Sequence, residues 1–175
     1  MLKGQFTSLR AIEKDDLSQL LAWRNTPELR RYFREYRELN HEQQLSWFND
    51  KVNNDASTRM FAIVDQQEKL LGAAGLCYID WVNRTADFSI YIGRGGLYID
   101  EKIAPDAARV MIRYAFDELG LNRLWSEIYS FDQAKVNFFN HLRFNLDGKH
   151  RQTHWAESAW HDSLFFSLLS SDPQP

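Results

Sequence analysis

Between Arg84 and Phe144 almost every residue reads as part of a strand, a helix or the short link between them. TADFSIYIG alternates as a strand does, RGGLYIDEKIAP reads as a loop, and DAARVMIRYAFDELG carries the spacing of a long helix. A second strand, LWSEIY, and a shorter helix running through VNFFNHL follow at once. A strand that passes through a tight loop into a helix N-terminus makes an anion site, because unpaired backbone N–H groups and the helix dipole converge there. Pro105 suits the first helical position, where its missing N–H costs nothing. Asp106, Arg109, Arg113 and Asp117 form the polar stripe of that helix, and Gly120 is placed to end it.

The rest of the chain alternates in the same way. Phe6 to Ile12 reads as a first strand, and Leu17, Leu20, Leu21 and Arg24 give a helix ending near Asn25. Asn40 with Gln43 forms a capping box, and Leu45, Phe48 and Val52 supply the buried stripe of the helix it starts. Arg59–Asp65 and Leu70–Trp81 pair about a turn at Gln66–Glu68, Asp132 caps the short helix, and strands near Asn145–His154 and Trp160–Leu169 close the sheet. At 175 residues, 44% of them hydrophobic, this is one domain, with its core at 6–169 and a loose tail at 170–175. The net charge of −3 gives no general attraction to nucleic acid or membrane. One cysteine, Cys77, excludes internal disulfides and multi-cysteine zinc sites. His150, His154 and His161 lack the spacing of a metal motif, so no metal is expected. No leader or membrane-spanning segment is read, which makes the chain cytoplasmic by expectation.

The order of elements, with the words IYIG, YAFDELGLNRLWSEI and FFNHLRF, resembles the GNAT superfamily of acetyl-CoA-dependent N-acetyltransferases. The likeness runs from about Leu9 to Leu169 and is greatest for the branch that acetylates ribosomal-protein alanine, spermidine and nucleotide aminosugars. It implies an α+β fold: a mixed, mostly antiparallel sheet of about seven strands with helices on both faces. It also implies a splayed parallel pair, Ala86–Ile92 and Leu124–Tyr129. The pantetheine arm of CoA would pair with backbone near Tyr91, Ile92 and Gly93, and the pyrophosphate would lie on Tyr98, Ile99, Lys102, Ile103 and Ala104 before the helix at Pro105. Asp132 and Lys135, in the first turn of the next helix, would flank the cofactor. The glycines usual in the phosphate loop are absent here, and Asp100 and Glu101 are poor neighbours for a pyrophosphate.

Strand parity places Asp87, Ser89 and Tyr91 on one face of the first strand and Trp125, Glu127 and Tyr129 on one face of the second. Amine acylation needs a proton acceptor, for which Glu127 and Asp87 are candidates, and a donor for the leaving thiolate, for which Tyr129 and Tyr91 are candidates. Phe139 and Arg143 stand where the resembled family commonly carries the donor tyrosine and a glycine. Trp23-Arg24-Asn25 matches a triplet of aminosugar-acetylating relatives and marks the acceptor side. Arg24, Arg30, Arg31, Arg34 and Arg37 are either a solvated face of internal ion pairs or an anion-binding wall. The second option favours an anionic small-molecule amine, a nucleotide-linked aminosugar first. A protein N-terminus, a polyamine, and a catalytically silent CoA-binding domain are the alternatives. The oligomeric state is not fixed, and a homodimer is one state the sequence allows.

Overall fold

A computed structural model describes residues 1–175. Eight strands form one sheet: β1 (Leu2–Lys3), β2 (Ser8–Ala11), β3 (Arg59–Val64), β4 (Leu70–Asp80), β5 (Thr85–Ile92), β6 (Arg123–Tyr129), β7 (Asn145–Ala156) and β8 (Ala159–Leu169). Their order across the sheet is β1-β2-β3-β4-β5-β6-β8-β7, and every neighbouring pair is antiparallel except β5–β6. The strand beyond the expected seven is β1, two residues long and outside the 6–169 core read from the sequence. The helices are α1 (Leu17–Asn25), α2 (Pro27–Arg30), α3 (His41–Trp47), α4 (Ile103–Arg113) and α5 (Gln133–His141).

The pleat of β5 sorts two cores. Ala86, Phe88, Ile90 and Ile92 point into the larger one with α4 and α5. Tyr91 points to the other face, into a smaller cluster with Leu20 of α1 and Phe48 beyond α3. Asn40 and Gln43 make both bonds of the capping box, at 2.9 Å each. Phe48 and Val52 of the expected stripe pack into the smaller core, but Leu45 is exposed and Gln44 is buried instead. Gly120 ends the α4 segment at φ +64°. Arg143 takes the same left-handed conformation, φ +61°, after α5, where glycine is the usual choice. The tail is tied down rather than loose: Ser170 N–H donates to Asn122 O, and Gln174 Nε2 reaches back to Leu169 and Asp172 carbonyls.

Asp106 is buried and does not belong to the polar stripe. Its carboxylate accepts from the N–H groups of Gln5, Phe6 and Thr7 and from the Thr7 hydroxyl, at 2.8–2.9 Å. A side chain on Gly4 would strike that carboxylate, which keeps the position free of a Cβ. Burial alone would push the Asp106 carboxyl up, but the donors from residues 5–7 outweigh it and hold the group below the usual range. A depressed carboxyl stabilises the fold above its unfolded pKa, and that stability is lost as pH falls through its folded pKa. Asp106→Asn should therefore cost about 2–3 kcal/mol near neutrality, less in acid, as measured by urea unfolding across pH. An equal loss at all pH values would show that the carboxylate charge contributes nothing.

Candidate active site

Parallel β5 and β6 pair only where Thr85, Ala86 and Asp87 face Arg123, Leu124 and Trp125. Beyond that point the strands part, and a cleft of about 240 Å³ opens between them. Asp87, Glu127 and Tyr129 line it together, as strand parity required. Tyr91 does not join them. It is buried on the smaller core, its ring edge-on to Phe33 at 5.1 Å, with its hydroxyl pushed up to about 12 by burial. Parity fixed its face correctly, but that face of β5 is covered at Tyr91 by Phe33.

The two carboxylates are bridged by Arg34, which follows α2. Its Nη1 donates to Asp87 Oδ2 at 2.8 Å and its Nε lies 3.6 Å from Glu127 Oε2. Burial pushes the Asp87 carboxyl up, and Arg34 opposes that rise. On the far side, the Ser163 hydroxyl of β8 donates to Glu127 Oε1 at 2.5 Å, and Thr153 Oγ1 lies 2.6 Å from Ser163 Oγ. Tyr129 stacks on His154, ring centres 3.6 Å apart. Burial, and then Glu127, push its hydroxyl up, so it carries its proton at neutral pH. Burial also raises the Cys77 thiol to about 11, which leaves it protonated and a weak nucleophile. Arg34, Ser163 and His154 are site residues that sequence parity did not single out. Ser163 faces Tyr129 in the β6–β8 register, a pairing visible only in three dimensions.

The loop before α4 departs from expectation in a specific way. The helix begins at Ile103, two residues ahead of Pro105. The amides of Lys102, Ile103 and Ala104 all donate to the Asp100 carboxylate, at 2.7–3.1 Å. Asp106 N–H reaches Lys102 O, and Pro105 has no donor, so no amide of the first turn is left free. Ala104 is fully buried, Ile99 and Ile103 pack on the larger core, and the Lys102 ammonium sits 4.1 Å over the Phe6 ring. Ile92 N–H donates to Tyr98 O and Gly93 N–H to Leu71 O, so these backbone groups also have partners. Tyr98 crosses the cleft: its hydroxyl donates to Asp132 at 2.8 Å and its ring stacks on Tyr32 at 4.2 Å. Asp132 caps α5 by accepting from Lys135 N–H, and Lys135 lines the same cleft.

The Trp23-Arg24-Asn25 triplet splits three ways. Trp23 packs flat on Gly93, where any Cβ would collide with the indole. Asn25 braces residue 39 through bonds to Leu39 O and from Leu39 N–H, at 2.7 and 2.9 Å. Arg24 alone lines the cleft, its guanidinium 5.1 Å over Phe33 and its buried Nε without a hydrogen-bond partner. The other four arginines are ion-paired: Arg30 with Glu38, Arg31 with Glu157, Arg34 with Asp87, and Arg37 with Glu35. Four of the five are therefore ion-paired, two within the segment and two to distant carboxylates, rather than forming an open anion-binding wall.

Residues 7–145 match the family described as acetyltransferase (GNAT) domain. An N-acetyltransferase p20 of Bacillus licheniformis, of uncharacterised activity, is 24% identical over 94% of this chain and 93% of its own length. The spermidine N(1)-acetyltransferase of Escherichia coli K12 is 30% identical over 85% of this chain and 78% of its own. Among solved structures, a Vibrio cholerae spermidine N-acetyltransferase in complex with CoA and spermine superposes with a TM-score of 0.85 at 22% identity, over 94% of this chain and 96% of the other. That last likeness is one of fold.

Proposed function

This chain belongs to the GNAT acetyltransferase family, and from that premise we propose that it moves an acetyl group from acetyl-CoA to a primary amine of a small molecule. The observation that carries this reading is the Asp87–Arg34–Glu127 cluster with Tyr129 at the mouth of a parting parallel strand pair. Beyond Asp87 and Trp125 the parted strands no longer pair with each other. Ile92 and Gly93 N–H are taken by Tyr98 and Leu71 carbonyls, but the gap between the strands is a place where an extended pantetheine arm can lie. Acetyl-CoA supplies the activated acyl group. Asp87, whose burial raises its affinity for a proton, takes the proton of the incoming ammonium, and Tyr129 gives one to the departing sulfur. A protonated Cys77 argues for direct attack by the amine over a cysteine-bound acyl route. Arg34 holds both carboxylates in place, and alignment of the two reactants supplies much of the rate.

For the acceptor, a polyamine now leads over a nucleotide aminosugar. Ion pairing occupies four of the five arginines that an anionic acceptor would need, leaving Arg24 alone. Four carboxylates line the cleft, Glu35, Asp87, Glu127 and Asp132, against three cations, Arg24, Arg34 and Lys135. A panel of spermidine, a nucleotide aminosugar and a peptide N-terminus should give its highest kcat/KM with spermidine. Preference for the sugar would return the substrate role to Arg24. A calorimetric titration with no acetyl-CoA binding up to millimolar concentration would remove the acetyltransferase reading itself.

A further inference from the structure

Six of the seven lysines, Lys135 excepted, are exposed to solvent. Lys135 extends from the first turn of α5 into the cleft, its Nζ 5.3 Å from the centre of the Tyr98 ring. A lysine drawn out of water normally meets a carboxylate or reaches back to solvent with its amine. Here both nearby acids are already engaged. Asp132 accepts from the Tyr98 hydroxyl and from the N–H of Lys135 itself, and Asp87 is held by Arg34. The Lys135 amine has no ion-pair partner within 4 Å and no hydrogen bond of its own. Burial lowers its affinity for a proton, attraction to Asp132 and Asp87 works against that, and Arg34 adds to the lowering. A larger neutral fraction is the nucleophilic one.

We propose that Lys135 is an internal acyl acceptor, acetylated by the chain's own acetyl-CoA when the cleft holds no external amine. The proposal rests on the acetyltransferase reading above, since it needs a thioester in the cleft. The neutral Nζ attacks the thioester carbonyl. A C–N bond forms, the C–S bond breaks, and the proton shed by nitrogen ends on the thiolate, giving free CoA and an amide on Lys135. The modified side chain has lost its charge and gained bulk inside the cleft, so turnover should fall as the modified fraction grows. The device would make the protein sensitive to the ratio of acetyl donor to acceptor amine.

The test is the intact mass of the full chain incubated with acetyl-CoA and no acceptor, followed by peptide mapping. The expected result is one added acetyl group, on Lys135, formed at least about tenfold faster than on any exposed lysine. It should be slowed by free CoA and absent from Lys135→Arg. Acetyl groups scattered over the exposed lysines at similar rates, or no modification while an external amine is turned over, would overturn the proposal and leave the acetyltransferase reading intact. A second arm uses the acetyl thioester of N-acetylcysteamine, which carries no nucleotide and so reads Lys135 reactivity even if acetyl-CoA fails to bind. Preferential labelling of Lys135 supports the assignment there too, and labelling of surface lysines first refutes it. Mapping on the unmodified sequence decides the matter whether or not the variant folds.

Discussion

Asp87→Asn lowers kcat by about 10²–10³-fold while the dissociation constant of acetyl-CoA stays within about twofold, if Asp87 is the proton acceptor. The substitution keeps shape and one hydrogen-bond acceptor for Arg34 but removes the basic oxygen. Glu127→Gln should cost less, because Glu127 is tied to Ser163 on one side and lies 3.6 Å from Arg34 on the other. The pH profile separates catalysis from structure. A base must be deprotonated to act, so kcat/KM of the parent rises with pH through the Asp87 pKa. Burial places that limb above the ordinary carboxylate range, and the variant should lose it. Arg34, Glu127 and Lys135 face Asp87 and persist in the variant, so a remaining limb would report on one of them. Unchanged turnover at every pH, or a larger loss in Glu127→Gln, would transfer the role to Glu127.

Phe139→Ala is expected to destabilise the protein by about 3–5 kcal/mol, among the largest losses that a single substitution here can give. Its ring is fully buried within 4.7–6.1 Å of the rings of Phe88, Phe138, Phe144 and Phe166, with the closest approach at Phe144. For a chain of this length the shift should be roughly 10–15 °C in melting temperature. Phe139→Tyr tests the functional side. The side chain does not line the cleft, so a hydroxyl there meets no substrate and costs about 1–3 kcal/mol as a buried unpaired group. Acetyl transfer by Phe139→Tyr at many times the parent rate would show that the ring turns toward the cleft and that the donor role belongs at this position.

What the sequence showed best was local. The Asn40–Gln43 box, the Asp132 cap and the Gly120 stop each depend on residues within four positions of one another, and each is present. Period-two alternation also put Asp87 and Glu127 on one face of the sheet, because Asp87 pairs with Trp125 in the parallel register and Glu127 lies two residues further along the same face. It failed at Tyr91, since alternation gives the face of a strand and not what covers it. Arg34 and Ser163 join the site across 53 and 36 residues, and no spacing rule reaches that far. Asp100 was legible but ambiguous: beside a helix start, one carboxylate is equally a repulsive charge for a phosphate and a cap for the helix.

That cap gives the protein a tethered competitor. A diphosphate arriving at the first turn of α4 meets amides already held by a carboxylate that cannot diffuse away, however dilute the solution. Its apparent affinity is its intrinsic affinity scaled by the fraction of molecules in which Asp100 has let go. On the proposed function, holding the donor would then fall chiefly to the parted strands. The nucleotide half of the donor would then be a handle whose grip is set by how readily one loop releases its own helix.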